Sequence, residues 1–278
     1  MSYQTILVQL DGTARDTERM NAAVRIGGET SAHLVGLHVI HPFYPALGNF
    51  GDPAVGVMAD MHRQYHEEAQ QDAETIRANM EGAANAAGLP FEWRSVEGFA
   101  EDIVPVHARY ADLCILGQDD PDASDPSAGR SLAIVTVMHA GRPVLVVPYV
   151  GSFESLGTNI MVGWNGSREA ARAVQDALPL LKRARQVSVL SINPETRDHI
   201  AGADIAAALA RHGVNTEAER TVSGDVAVGE LLLSEASDLG ADMIVVGGYG
   251  RSRLRELILG GVSQTLMEAM TVPVFMSH

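Results

Sequence analysis

The residues best suited to chemistry lie within positions 241–263. Met243, Ile244, Val245 and Val246 make a short apolar run of buried-strand type, and Gly247, Gly248 and Gly250 follow almost at once. Glycine there frees the backbone of Cβ atoms where a strand ends, the place at which open α/β sheets bind ligands. A second pair, Gly260 and Gly261, precedes Val262, Leu266, Met267 and Met270, whose spacing is helical. That pair therefore falls at a helix N-terminus with unpaired N–H groups, and two amide-rich turns facing each other would cradle a phosphate. Arg251, Arg253 and Arg255 could neutralise one. Glycines after a strand are also ordinary loop chemistry, and a charge run between them is commonly a solvated face, so spacing alone does not decide.

The elements that must hold this stretch in place repeat along the chain. Residues Thr5 to Asp11 form an apolar strand ending in Asp-Gly, and Asn159 to Asn165 repeat it at an offset of 154 residues. Ala111 to Gly117 and Ala241 to Gly247 share an offset of 130, as do Pro143-Val144 and Pro273-Val274. Two matched ends define an internal repeat. The drop from 154 to 130 assigns 24 additional residues to the first half, and positions 41–63, rich in Pro, Gly and aromatics, read as a long loop there. Runs at 34–39, 91–96, 186–192 and 216–222 supply the intervening strands. Strands alternating with helices predict parallel sheets with helices on both faces. The turn-rich join after Pro148 places the boundary near Val150, giving domains 1–150 and 151–278.

Composition bounds the function. The 278 residues are 46% hydrophobic and 20% charged, typical of globular domains with full cores. No apolar run approaches membrane-span length and the first residues lack a signal-peptide layout, so a cytoplasmic protein is expected. A formal charge of −15 disfavours nucleic acid and anionic lipid as partners. The single cysteine, Cys114, sits in an apolar run and reads as a buried thiol, which leaves no disulfide.

The order strand-Asp-Gly-Thr, strand-Gly-x2-Gly-x9-Gly and a terminal Pro-Val strand resembles the universal stress protein family, here as a tandem of two domains. The resemblance implies two Rossmann-like domains of the adenine nucleotide alpha hydrolase-like type, each a five-stranded parallel sheet with helices on both faces, pairing through the last strand. It also implies ATP, with magnesium as its usual companion, as the bound cofactor. Carried over position by position, Gly247 and Gly250 would face the ribose and phosphates, and Gly260, Gly261, Val262 and Ser263 the phosphate chain. Gly163 and Asn165 would face the adenosine end, with Ile192 and Val246 as walls around the base. Two positions depart from the pattern: Gly261 stands where nucleotide binders carry Ser or Thr, and Asn165 where they carry Asp. Each lost contact would cost about 1 kcal/mol.

The first half breaks the motif. Asp120 and Arg130 stand at the positions of Gly250 and Gly260, among Asp119, Asp122 and Asp125, and carboxylates there repel phosphate. No ATP is expected in this half, and Asp11 reads as a turn or helix-cap residue. His62 and His66 have an i, i+4 spacing that can grip a metal, but helix histidines are commonly solvated and no metal site is expected. Trp93 and Trp164 read as packing residues, and Met58, Met61 and Met80 as core filler.

No nucleophile elbow, Walker loop, zincin or paired-cysteine motif is present in the sequence. The expectation is a non-catalytic stress-response module, ATP hydrolysis being at most slow and incidental, in which nucleotide in the second domain alters engagement of an unidentified protein partner. The tandem would form an intramolecular pseudo-dimer, with a homodimer of the whole chain as a further option. The other reading left open is a nucleotide-free interaction or small-ligand module built on the first-domain loop and helix.

Overall fold

The computed structural model describes residues 2–43, 54–119, 131–193, 202–248 and 261–278. In the first half, strands β1 (Thr5–Leu10), β2 (His33–Ile40), β3 (Phe91–Glu97), β4 (Leu113–Gly117) and β5 (Val144–Val147) alternate with helices α1 (Asp16–Thr30), α2 (Ala54–Ala86), α3 (Ala100–Ala108) and α4 (Leu132–Ala140). The second half repeats the order with β6 (Asn159–Gly163), α5 (Arg168–Leu181), β7 (Gln186–Ile192), α6 (Ala203–Arg211), β8 (Thr216–Thr221), α7 (Val228–Asp238), β9 (Met243–Gly247), α8 (Gly261–Ala269) and β10 (Val274–Ser277).

All ten strands form one sheet in the order β3-β2-β1-β4-β5-β10-β9-β6-β7-β8. Within each half every pairing is parallel, and the central strands are buried on both faces, which is why they read as unbroken apolar runs. At the centre β5 and β10 pair antiparallel, with Val146 opposite Val274 and Leu145 opposite Phe275. The expected pairing of the two last strands is thus what joins the halves.

Each face carries a core that is continuous across this seam. One unites Ile6, Leu10, Met20 and Met80 with Phe275, Ile160 and Leu181; the other unites Leu116, Val137 and Val146 with Val246, Leu266 and Met276. Polar ties add to it, including Tyr3 Oη donating to Asp176 O at 2.8 Å and Gln118 Nε2 donating to Met267 O at 2.7 Å.

One expectation needs correction. The additional length of the first half was assigned to a loop over 41–63, yet α2 already runs from Ala54. It has 33 residues where α6 has 9, so the extra length is mainly helix. Residues 44–53 of that segment lie outside the described ones. Met80 is fully buried and Met61 is exposed, so only the former is core filler. Cys114 is fully buried as expected, and burial pushes its thiol far above the ordinary range.

Candidate functional site

In the second half the chain leaves β6 for β7 and β8 on one side, then returns to β9, which lies against the other edge of β6, and continues to β10. The carboxyl ends of β6 and β9 are therefore the switch point of the strand order. Helices α5 and α8, which follow these two strands, pack on opposite faces of the sheet, and such a switch point is where doubly wound sheets receive ligands. Gly163 ends β6, Ile192 ends β7, Val246 and Gly247 end β9, and Gly261 opens α8, so these positions from separate segments share one edge of the sheet. Gly250 and Gly260, with the three arginines between them, lie outside the described residues.

The β6–α5 turn is built by its own side chains. Asn165 Oδ1 accepts from Ser167 N at 3.0 Å, and Ser167 Oγ accepts from Ala170 N at 3.1 Å, capping α5. Gly166 holds φ +70° between them, the left-handed region that glycine enters without strain. Asn165 is exposed, and with its oxygen engaged it offers its Nδ2 donors outward.

Two glycines prove to serve packing. A Cβ on Gly247 would lie 2.4 Å from Ala170 N, so the first turn of α5 rests directly on the end of β9. A Cβ on Gly163 would lie 2.9 Å from both Leu232 Cδ1 and Val246 Cγ1. Gly261 differs: it is exposed, and among the described residues a Cβ there would meet nothing within 4 Å. Val262 is half-buried and Ser263 buried, while Val246 and Ile192 pack into the second-face core.

At the corresponding ends of β1 and β4 in the first half lies an ion cluster that the sequence did not reveal. Arg19, 2% exposed, donates to Asp11 Oδ1 and Asp16 Oδ1 at 2.5 Å each and to Gln9 Oε1 at 2.8 Å. Its Nη1 would lie 3.2 Å from a Cβ on Gly117, so the guanidinium covers the end of β4. At the offset of 154 the second half has Ala173 instead, fully buried. Asp11 also accepts from Thr13 N at 3.1 Å, the turn role expected of it, while Asp16 accepts from Gly12 N at 2.8 Å. Burial alone would raise Asp11, but the Arg19 charge and hydrogen bonds outweigh it and bring the carboxyl down to about 2. Asp16 moves the other way, raised chiefly by burial. In α4 the residue matching Gly261 is Ser131, whose Oγ accepts from Ile134 N at 3.4 Å as the helix cap.

His62 and His66 bring their Nε2 atoms within 3.2 Å on an exposed stretch of α2, and among the described residues no group of three or more metal-ligating side chains forms. No helix among them is long and apolar enough to cross a membrane. Trp93 and Trp164 pack against the first-face core, as expected.

A ten-stranded sheet of two doubly wound halves with paired last strands is the architecture the sequence resemblance implied. Residues 158–278 match the model of the Universal stress protein family and form a domain of it. The whole chain is similar in fold to a universal stress protein from Archaeoglobus fulgidus DSM 4304, at 17% identity over 98% of this chain and 95% of that one, with a TM-score of 0.76. It is also similar to a functionally unknown protein from Pseudomonas aeruginosa PAO1, at 16% identity over 99% of this chain and 92% of that one, with a TM-score of 0.61. No curated protein matches it.

Proposed function

We propose that the second half binds an adenine nucleotide, ATP with magnesium, at the carboxyl ends of β6 and β9, and that the chain acts as a nucleotide-dependent regulatory module rather than a catalyst. The observation that carries this reading is Gly261, exposed and with no described atom within 4 Å of where its Cβ would stand, at the N-terminus of α8 on the same edge as Asn165 and the end of β9. The positive end of the α8 dipole suits a phosphate without a cationic surface, which a chain of charge −15 does not provide overall. Asn165 adds amide donors toward the nucleoside end. The first half offers a contrast: Arg19 and its two carboxylates stand at the equivalent end of β4. Occupancy of the second half would then alter the surface presented to a protein partner.

Gly261→Asp tests this reading. A Cβ is tolerated there and a carboxylate in the first turn of α8 favours the helix, so the fold is kept. The same carboxylate stands where a phosphate would. Adenine released by acid from purified protein, compared between wild type and variant, should be present in the first and absent from the second. A variant that retains its nucleotide would overturn the assignment to the α8 turn.

A further inference from the structure

A cleft of about 570 Å³ opens in the first half between the end of β1, the end of β2 and one face of α2. That is the volume of a small-molecule site. It lies on the α1 and α2 face of the sheet and uses none of the residues assigned to the nucleotide. Its walls carry the carboxylates of Glu68 and Asp72, together with Asp11 and Asp16, which are already paired with Arg19, and no lysine or arginine is among the described lining residues.

Carboxylates alone would be a solvated patch; His38 makes the wall specific. It is 7% exposed, lines the cleft, and is stacked on Trp93 at 6.3 Å between ring centroids. Its Nδ1 lies 2.8 Å from Leu10 O. A carbonyl only accepts, so Nδ1 carries a proton, and in the tautomer this fixes Nε2 is the acceptor. The hydrogen bond of Nδ1 to Leu10 O is the one His38 makes among the described residues, and Nε2 lies on the far side of that ring. Glu68 and Asp72 stand one turn apart on α2, a like-charge i, i+4 pair that weakens an isolated helix. Asp72 has no ion-pair partner among the described residues. Between these acceptors Met20 and Ile76 give an apolar floor, and Tyr65, donating to His41 O at 2.7 Å, ties α2 to the end of β2.

We propose that this cleft binds a small organic cation of the aliphatic polyamine class. Its ammonium groups meet the α2 carboxylates, one N–H meets His38 Nε2, and its methylenes lie on Met20 and Ile76. A nucleotide phosphate is repelled by the same wall. The site is independent of the nucleotide reading for the second half.

Calorimetric titration of spermidine at about 0.15 M salt tests it. Saturable binding, one per chain, is expected in the wild type and weakened about tenfold or more in Glu68→Gln/Asp72→Asn, whose exposed positions leave the fold intact. Glu67→Gln/Glu74→Gln removes the same charge from α2 outside the cleft and should bind within about twofold of wild type. The imidazole nitrogen NMR signal of His38 should move on saturation. No binding to the wild type, equal loss in the two double variants, or an unmoved His38 signal would overturn the proposal.

Discussion

Gly247 and Gly261 show how one residue type does opposite work a few residues apart. At Gly247 the missing Cβ admits the backbone of Ala170, which cannot step aside as a flexible side chain would. Gly247→Ala should cost about 3 kcal/mol by overpacking, while Gly261→Ala, in open space at a helix start, should be neutral or stabilising by about 0.5–1 kcal/mol. Urea midpoints of the two variants would separate these outcomes. Arg19 offers a second test. Arg19→Met leaves two carboxylates beside each other with no counter-charge and should cost about 3 kcal/mol. The pH dependence follows in sign. Asp11 is lowered from 3.8 to about 2, so its contribution is complete above 3.8 and is lost as pH falls toward 2. Asp16, raised, acts in the opposite sense and partly offsets it. In Arg19→Met the acid-dependent loss contributed by Asp11 should disappear, a change readable as a flatter stability profile below pH 3.8.

The central antiparallel pair of β5 and β10 is the element on which both halves depend. Phe275, fully buried opposite Leu145, belongs to a core that reaches Met80 on one side and Leu181 on the other. Phe275→Ala should cost about 3–5 kcal/mol, and the two halves should still unfold together. The chain has two tryptophans, Trp93 in β3 and Trp164 after β6, so single-tryptophan variants report one half each. Coincident fluorescence transitions are expected in urea; separated ones would show that the seam does not couple the halves. These strands were legible because burial on both faces forces unbroken apolar runs, and the repeat offsets placed them within a residue or two. Helix α2 was misjudged at its start, since Gly51, Pro53 and Gly56 suggest loop chemistry while its helical state from Ala54 onward comes with the long helix that follows. Arg19 was invisible for a different reason: an arginine within a helix looks like surface, and only the return of β1 and β4 beside α1 buries it. Sequence likewise does not distinguish a glycine vacated for a ligand from one vacated for a helix, so the packing of Leu232 on Gly163 and of Ala170 on Gly247 was not legible in it.

At the scale of the molecule, the second half carries the open α8 turn and the first half the acidic cleft. The sheet ends in β3 and β8, whose sequences place Glu92, Arg94 and Glu97 on one edge and Glu217, Glu219 and Arg220 on the other. Charged edges resist further strand addition. This division of labour is the central claim, and the number of ATP molecules bound per chain at saturation, with magnesium present, tests it most directly. The account predicts one. A count of two would contradict the exclusion of nucleotide from the first half by Arg19 and the acidic wall, and a count of zero would contradict nucleotide binding at the end of β9.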